Sequence, residues 1–250
     1  MHLQRSRIAI SYLSMWFVLL VRMGGASAAA NEHAGMRLEM VQQIEAMAAE
    51  VGYATGRETL DPRVTEVMGK VPRHLFVPPD LELNAYENRP LPIGHGQTIS
   101  QPYIVALMTD LLQVKPDSVV LELGTGSGYQ AAVLAELVRS VYTMEIIEPL
   151  GNLAKERLAR LGYKNAEVKV GDGYFGWPEF APFDAIIVTA AASHIPPPLV
   201  QQLKAGGRMV IPVGTHFLTQ YLMVVDKNQD GTVTTRQVLP VRFVPLSGGH

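Results

Sequence analysis

The sequence predicts an α/β fold built on a mostly parallel sheet, with an antiparallel hairpin at its C-terminal end and helices before it. Between residues 114 and 230, short β-branched runs alternate with helical patterns, which is typical of βαβ units. The predicted parallel strands are almost entirely apolar, as strands buried on both faces are. A length of 250 residues and a near-average apolar content fit one folded domain with appended elements.

The first predicted elements are helices. Apolar residues at helical spacing predict a helix over Leu38–Val51, with Gly52 as its C-cap. Asp61 followed by Pro62 predicts the N-cap and first turn of a second helix. The next stretch, Pro72–Ser100, is rich in proline and glycine without a sustained period, so we expect it to be irregular. Long irregular segments inside compact proteins are often functional.

The main sheet is predicted from residue 114 onward. Its parallel strands are expected at Ser118–Leu123, Ser140–Glu145, Ala166–Val170, Asp184–Val188 and Arg208–Val213. The helices between them include Tyr129–Leu137 and Pro149–Leu161. A turn-forming sequence at 228–231 lies between two further strands, Gln220–Asp226 and Thr232–Val238, and predicts the antiparallel hairpin.

The N-terminal residues have the layout of a secretory signal. Arg5 and Arg7 precede an apolar stretch, Ile8–Val21, and small residues follow up to Ala30. The stretch is shorter than the roughly 20 residues of a spanning helix, so no permanent membrane span is expected. The alternative is an over-long reading frame whose true start is Met36.

Composition excludes several classes of site. The formal net charge is -2, and basic residues are scattered among acidic ones, so no nucleic-acid partner is expected. The chain has no cysteine, which excludes disulfides, thiolate zinc sites and a cysteine nucleophile. His74, His95 and His194 are far apart and lack ligand spacing, so no metal site is predicted.

A glycine-rich turn is the sharpest local feature. The strand that ends at Leu123 runs into Gly-Thr-Gly-Ser-Gly at 124–128, and a helix follows. A nicotinamide dinucleotide would require glycine or alanine where this chain has Tyr129. Glu122, two residues before the first glycine, would repel a pyrophosphate but suits an ammonium or sulfonium group. S-Adenosylmethionine carries both groups, so the sequence predicts this cofactor.

Two more acidic residues follow the next two strands. Glu145 ends a strand about 20 residues beyond the turn, where a carboxylate can accept both ribose hydroxyls. Asp172 lies between Gly171 and Gly173 after the following strand, where an adenine edge is expected. Ligands of open α/β sheets bind outside the carboxyl ends of the strands, so Glu122, Glu145 and Asp172 are expected to converge on one crevice.

Six segments carry a resemblance to a known family. They are PRHLFVP at 72–78, LPIGHGQTISQPY at 91–103, LELGTGSGYQ at 121–130, GDG at 171–173, FDAIIVTAA at 183–191 and LKAGGRMVIPVG at 203–214. With these segments the chain resembles the protein-L-isoaspartate O-methyltransferase family, in its bacterial form, from about residue 61 to residue 246. The glycine turn is common to many methyltransferases, whereas Gln-Thr-Ile-Ser-Gln-Pro at 97–102 is far more specific to this family.

The resemblance implies a Rossmann-like class I methyltransferase fold and a repair activity. The methyl group of S-adenosylmethionine would pass to the α-carboxylate of L-isoaspartyl residues in damaged proteins. Ser100 would belong to the active site, with cofactor contacts from Gln97, Thr98, Ile99, Glu122, Gly124, Gly126, Glu145, Asp172, Gly173 and Ser247. By residue type alone, Ser100 and Thr98 could instead be N-cap residues of the helix that begins near Pro102.

The sequence patterns and the resemblance together divide the chain into four expected regions, although the stretch before about Leu38 has no counterpart in the family. The expected regions are 1–30, a signal peptide or over-long start; 31–113, N-terminal helices and a substrate cap; 114–230, the S-adenosylmethionine-binding domain; and 231–250, a C-terminal strand extension. The expected partners are isoaspartyl-containing proteins and peptides, and a monomer is expected.

Location and function leave alternatives open. The cytoplasm, where the cofactor is made, is the expected location, and export to the periplasm is the alternative if the signal-like segment is genuine. Rival functions are a small-molecule S-adenosylmethionine-dependent methyltransferase, a nicotinamide oxidoreductase and a catalytically silent exported binding protein.

Overall fold

The structure is a computed structural model that describes residues 32–215 and 219–248. The signal-like segment at 1–30 lies outside the described residues. In the part of the chain that is described, no helix is long and apolar enough to cross a membrane.

In the described residues, six helices and nine strands position the functional residues. In chain order they are α1 (32–55), α2 (Pro62–Lys70), β1 (Leu91–Gly94), β2 (Gln97–Ile99), α3 (Pro102–Leu112), β3 (Val119–Leu123), α4 (Tyr129–Ala135), β4 (Ser140–Glu145), α5 (Glu148–Arg160), β5 (Ala166–Val170), β6 (Phe183–Val188), α6 (Pro197–Gln202), β7 (Leu203–Val213), β8 (Gln220–Lys227) and β9 (Val233–Val241).

One seven-stranded sheet forms the centre of the fold. Its order is β5-β4-β3-β6-β7-β8-β9, and β1 pairs separately with β2. The strands from β5 to β7 in this order are parallel neighbours, whereas β8 is antiparallel to both β7 and β9. The predicted fold class is confirmed: a mostly parallel α/β sheet with a C-terminal antiparallel hairpin and helices before it.

The apolar sequence of the central strands follows from burial on both faces. In β6, Ile186 belongs to one core cluster and its neighbour Ile187 to the other, and both are 0% exposed. Successive side chains of a strand point to opposite faces, so a strand covered on both faces needs apolar residues throughout. The strand order reverses beside β3, which has β4 on one side and β6 on the other. This reversal leaves a crevice at the carboxyl ends of the strands.

The predicted end of the first helix is wrong. Helix α1 continues past Gly52 to residue 55, and Gly56 takes the left-handed conformation with φ +70. Gly52 has a different role, since a Cβ at this position would lie 2.8 Å from Cα of Glu58. The glycine therefore permits a close approach of the chain. Helix α2 starts as predicted, with Oδ1 of Asp61 accepting a hydrogen bond from the Arg63 N–H at 2.9 Å.

The stretch Pro72–Ser100 is more ordered than predicted. It contains two 3-10 turns, Arg73–Phe76 and Pro79–Asn84, and then the antiparallel pair β1–β2. His95 and Gly96 connect the two strands with φ values of +53 and +70. Strands of four and three residues are too short to show a period of two, so composition alone indicated only a loop.

Candidate active site

The glycine-rich turn connects β3 to α4. Gly124, Gly126 and Gly128 have φ values of +97, +51 and +86, a conformation that favours glycine. Gly124 also allows a close contact, because a Cβ there would lie 2.5 Å from Oγ1 of Thr189. The turn therefore brings backbone N–H groups against the carboxyl end of the sheet.

Glu122 is a buried carboxylate beside this turn. It is 0% exposed, and within the described residues neither carboxylate oxygen has a hydrogen-bond partner. Burial raises the pKa of Glu122 to about 8; the Thr143 hydroxyl opposes this rise, and the nearby charge of Glu145 adds to it. Without a cation nearby the group is therefore mainly protonated at neutral pH, and a cationic ligand group would favour its charged form. The site therefore suits the ammonium or sulfonium of S-adenosylmethionine.

Glu145 is the last residue of β4 and is held by backbone donors. Oε2 accepts a hydrogen bond from the Gly126 N–H at 2.8 Å, and Oε1 accepts one from the Ile147 N–H at 2.9 Å. Each carboxylate oxygen has a second lone pair, so both can still accept a hydroxyl. Glu145 thus has the fixed orientation that recognition of a ribose diol requires.

Asp172 and Gly173 have different surroundings. Asp172 caps a short 3-10 turn, with Oδ1 accepting a hydrogen bond from the Tyr174 N–H at 3.0 Å. Gly173 lines the pocket described below, whereas Asp172 is not among the residues that line it.

Ser100 lies between the end of β2 and the start of α3. The N-cap residue of α3 is Gln101, and no side chain caps the helix. The interpretation of Thr98 and Ser100 as N-cap residues is therefore wrong. Among the hydrogen bonds of the described residues, the Ser100 hydroxyl takes part in none, so it can bind a ligand.

One pocket at the carboxyl ends of the strands collects the predicted residues. All of them except Asp172 line it: Gln97, Thr98, Ile99, Ser100, Glu122, Gly124, Gly126, Glu145, Gly173 and Ser247. The segment 97–100, the glycine turn and the end of β4 contribute three walls, and residues 244–247 contribute another. The pocket thus brings the two predicted glutamates together with Ser100.

Several lining residues escaped the sequence analysis. Thr189 follows the end of β6, and its single O–H is shared between the carbonyls of Gly124 at 2.7 Å and Leu123 at 3.0 Å. The strand-end argument used for Glu122 could have identified it. The segment 244–246 is placed by backbone hydrogen bonds with Ala191. These bonds span more than fifty residues and have no local sequence pattern.

A second cavity opens beside Ser100. This groove has a volume of about 700 Å³ and is lined by α1, by residues 98–104 and by residues 239–244. It shares Thr98, Ser100, Thr189 and Val244 with the first pocket. Among its described lining residues, Arg242 is the one charged side chain. A ligand in the groove therefore has direct access to Ser100.

The sequence suggested that His74, His95 and His194 are isolated from other possible metal ligands. For His74 this is wrong. His74 stacks on His33 with centroids 3.9 Å apart and planes at 7°, and His33 Nε2 lies 3.3 Å from Oε1 of Glu82. Donor atoms of these three residues lie within 4.8 Å of one another. The nitrogen lone pair of an imidazole lies in the plane of its ring. Because the two rings are stacked and parallel, one metal ion cannot bind a nitrogen of each unless a ring rotates. The cluster as it stands packs the start of α1 against the 3-10 turns.

Comparisons with known proteins show which family the chain resembles. The sequence model of the family described as protein-L-isoaspartate(D-aspartate) O-methyltransferase matches residues 51–250. Protein-L-isoaspartate O-methyltransferase 1 of Cupriavidus necator is 67% identical over 224 residues, covering 90% of this chain and 86% of its own length. Protein-L-isoaspartate O-methyltransferase 2 of a Polaromonas species is 68% identical over 209 residues, covering 84% of this chain and 99% of its own.

Solved structures are similar as well. A protein-L-isoaspartate O-methyltransferase superposes with a TM-score of 0.71 at 27% identity, covering 83% of this chain and 66% of its own. A Plasmodium falciparum protein described as a putative member, in complex with S-adenosyl-L-homocysteine, superposes with a TM-score of 0.70 at 26% identity. That match covers 84% of this chain and 97% of the other. The chain belongs to the protein-L-isoaspartate(D-aspartate) O-methyltransferase family, as its sequence motifs indicated.

Proposed function

We propose that this chain, an S-adenosylmethionine-dependent O-methyltransferase of L-isoaspartyl residues, binds its cofactor beside Glu122 and methylates a carboxylate beside Ser100. The observation that carries the assignment is the buried carboxylate of Glu122, which has no partner among the described residues and lines the same pocket as Ser100. A cationic cofactor meets the electrostatic need of this group.

The cofactor contacts follow from the walls of the pocket. Glu122 and the backbone of Gly124 and Gly126 hold the methionine end. Glu145 accepts the ribose hydroxyls, since its oxygens are already oriented by two backbone N–H groups. Gly173 lies against the adenine, and Asp172 shapes that contact by capping the turn. Ser247 and the segment 97–99 close the pocket from the side of the substrate.

The reaction needs alignment more than acid–base chemistry. When bound, the cofactor supplies a methyl group on a positively charged sulfur. A peptide carboxylate has a pKa of about 3.5, so it is ionised at neutral pH and needs no general base. Its oxygen forms the new O–C bond, and the C–S bond breaks with its electron pair left on sulfur. No proton moves, and the protein supplies the in-line geometry.

Ser100 orients the acceptor. Its hydroxyl can donate a hydrogen bond to one carboxylate oxygen and leave the other oxygen directed at the methyl group. In ring closure to the succinimide, the amide nitrogen of the following residue attacks the ester carbonyl, loses its proton and displaces methanol. Methanol leaves more readily than the oxygen of an ionised carboxylate, so ring closure is faster for the ester. Hydrolysis of the succinimide then returns some normal aspartate, which accounts for the repair function.

The groove beside Ser100 receives the rest of the substrate. Its volume is about 700 Å³, and its mostly apolar walls come from α1, residues 98–104 and residues 239–244. The N-terminal region 31–113 therefore serves as the substrate cap. Because Arg242 is the one charged residue among its described lining residues, a peptide that carries a carboxylate is not repelled.

The test is methyl transfer from labelled S-adenosylmethionine to an L-isoaspartyl peptide, with the aspartyl peptide of the same sequence as control. Label on the isoaspartyl peptide alone, reduced at least about tenfold in Ser100→Ala, supports the activity and the role of Ser100 together. Cofactor binding without label on either peptide would overturn the proposed acceptor.

Location and assembly complete the proposal. We expect the chain to act in the cytoplasm as a monomer on isoaspartyl proteins and not on nucleic acid. The support for this location is that the cofactor is made in the cytoplasm. Fractionation of cells that express the full chain, and light scattering of the purified protein, test the location and the oligomeric state.

A further inference from the structure

Arg73 is a buried arginine that touches three parts of the site. Its exposed fraction is 0%. Its Nε donates a hydrogen bond to the Ala85 carbonyl at 2.7 Å, and its Nη2 donates one to the Ser100 carbonyl at 2.7 Å. The guanidinium carbon lies 4.7 Å from the centroid of the Tyr129 ring, at the start of α4. One side chain thus links the 3-10 turns, Ser100 and the helix that follows the glycine turn.

The burial of this charge is costly. Among the described residues, no carboxylate lies within salt-bridge distance of Arg73, and Nη1 has no hydrogen-bond partner. Burial lowers the pKa of Arg73 to about 10, so the side chain is still charged at neutral pH. An apolar side chain could fill the space without desolvating a charge, but it could not hold two carbonyls.

The Ser100 carbonyl lies next to α3 but accepts none of the backbone hydrogen bonds of that helix. The first backbone hydrogen bond of α3 goes to the Gln101 carbonyl, from Val105 at 3.1 Å. Pro102, the first residue of the helix, has no N–H to donate. Ser100 therefore lies just outside the regular hydrogen bonds of α3, and Arg73 supplies a rigid planar donor to its backbone.

We propose that Arg73 is a positioning residue for methyl transfer. By holding the Ser100 backbone and contacting Tyr129, it sets the place of the Ser100 hydroxyl relative to the glycine turn. In-line transfer is sensitive to that distance, since a misplacement of about 1 Å can cost about 100-fold in rate. The inference rests on the role of Ser100 proposed above.

The experiment combines two substitutions. Arg73→Lys keeps the charge and most of the stem but loses the planar fork, and it is made in wild type and in Ser100→Ala. Arg73→Gln, which buries no charge, supplies the same measurement if Arg73→Lys does not fold. Val224→Ala, a core truncation in β8 that lines neither cavity, controls for general destabilisation. All assays are run where circular dichroism shows full folding.

We expect Arg73→Lys to lower kcat/KM for the isoaspartyl peptide at least about tenfold, with the Kd of the cofactor changed less than about threefold. In Ser100→Ala the same substitution should cost less than about twofold, because the hydroxyl through which Arg73 acts is absent. Val224→Ala should keep its kcat/KM. A merely structural role would lower the melting temperature without this coupling.

Two results with the Arg73 variants would overturn the inference. One is equal loss from the Arg73 substitution in both backgrounds, and the other is a kcat/KM within about twofold of wild type for both Arg73 variants. If Ser100→Ala is impaired while the Arg73 variants are not, the proposed function stands and only the positioning role falls. If Ser100→Ala is fully active, the role of Ser100 falls and the positioning role falls with it.

Discussion

Thr189 and Gly124 fix each other across the carboxyl ends of β6 and β3. The Thr189 hydroxyl donates a hydrogen bond to the Gly124 carbonyl at 2.7 Å, and it lies 2.5 Å from the place of a Cβ on residue 124. The contact is possible only with glycine, which also tolerates the φ of +97 found there. The glycine turn is therefore held against the end of β6 through residue 124, where there is no room for a side chain.

Gly124→Ala should abolish most cofactor binding. The new methyl group collides with Thr189 and the backbone is strained, so we expect the Kd of S-adenosylmethionine, measured by calorimetry, to rise at least about tenfold. Gly162→Ala is the matched control, since residue 162 has a φ of +86 with nothing within 4 Å. It should cost about 1–2 kcal/mol of stability and leave the Kd unchanged. An unchanged Kd in Gly124→Ala would contradict the contact.

Glu122 should make the stability of the cofactor-free protein depend on pH. Its pKa is about 8 when folded, against an ordinary value of 4.5, so the folded chain binds the extra proton between these values. Stability contributed by this group is therefore lost as the pH rises through that window. Melting temperatures from about pH 5 to pH 8 should fall more steeply for wild type than for Glu122→Gln. Glu156→Gln, at an exposed position of α5, should follow wild type.

Glu145 and Asp172 should respond differently to substitution. Glu145→Ala removes a carboxylate that lines the pocket and should weaken cofactor binding at least about tenfold. Asp172→Asn keeps an oxygen that can accept the Tyr174 N–H and should retain binding, whereas Asp172→Ala loses the turn cap and should weaken it. Calorimetry with S-adenosylhomocysteine measures all three. Equal losses in the two Asp172 variants would mean that its charge touches the cofactor directly.

Asp184 should contribute stability without affecting catalysis. Its Oδ2 accepts a hydrogen bond from the Val119 N–H at 2.7 Å, and its Oδ1 accepts one from Nζ of Lys204 at 2.7 Å. Burial alone would raise the pKa of Asp184, but the hydrogen bonds from Lys204 and Val119 lower it overall. Asp184→Asn should cost about 1–2 kcal/mol in urea unfolding at neutral pH and leave kcat unchanged.

The stability that Asp184 contributes depends on pH with the opposite sign to that of Glu122. A lowered carboxyl pKa adds stability above the unfolded value, and that stability is lost as the pH falls through the folded value. The difference between wild type and Asp184→Asn should therefore shrink below about pH 3.9. Lys204→Met keeps the hydrogen bond between Asp184 and Val119, so it should lower the free energy of unfolding less than Asp184→Asn does. A larger loss in Lys204→Met would mean that the ion pair makes the main contribution.

Local sequence patterns were enough to predict the site residues that lie at strand ends, in the glycine turn and in short motifs. Glu122, Glu145 and the segment 97–100 follow short motifs, and the parallel sheet brings them to one edge. Arg73 could not be predicted as a buried residue, because arginine is normally exposed and nothing in its neighbours indicates the two carbonyls that it meets. The end of α1 was misjudged because Gly52 serves packing against Glu58 and not helix termination.

The pocket wall at 244–247 gives this enzyme a particular order of assembly. These residues follow β9 in sequence and reach the pocket through hydrogen bonds with Ala191, just beyond β6. Residues 244–247 are among the last to be synthesised, so we expect the pocket to be incomplete in a chain that ends at β8.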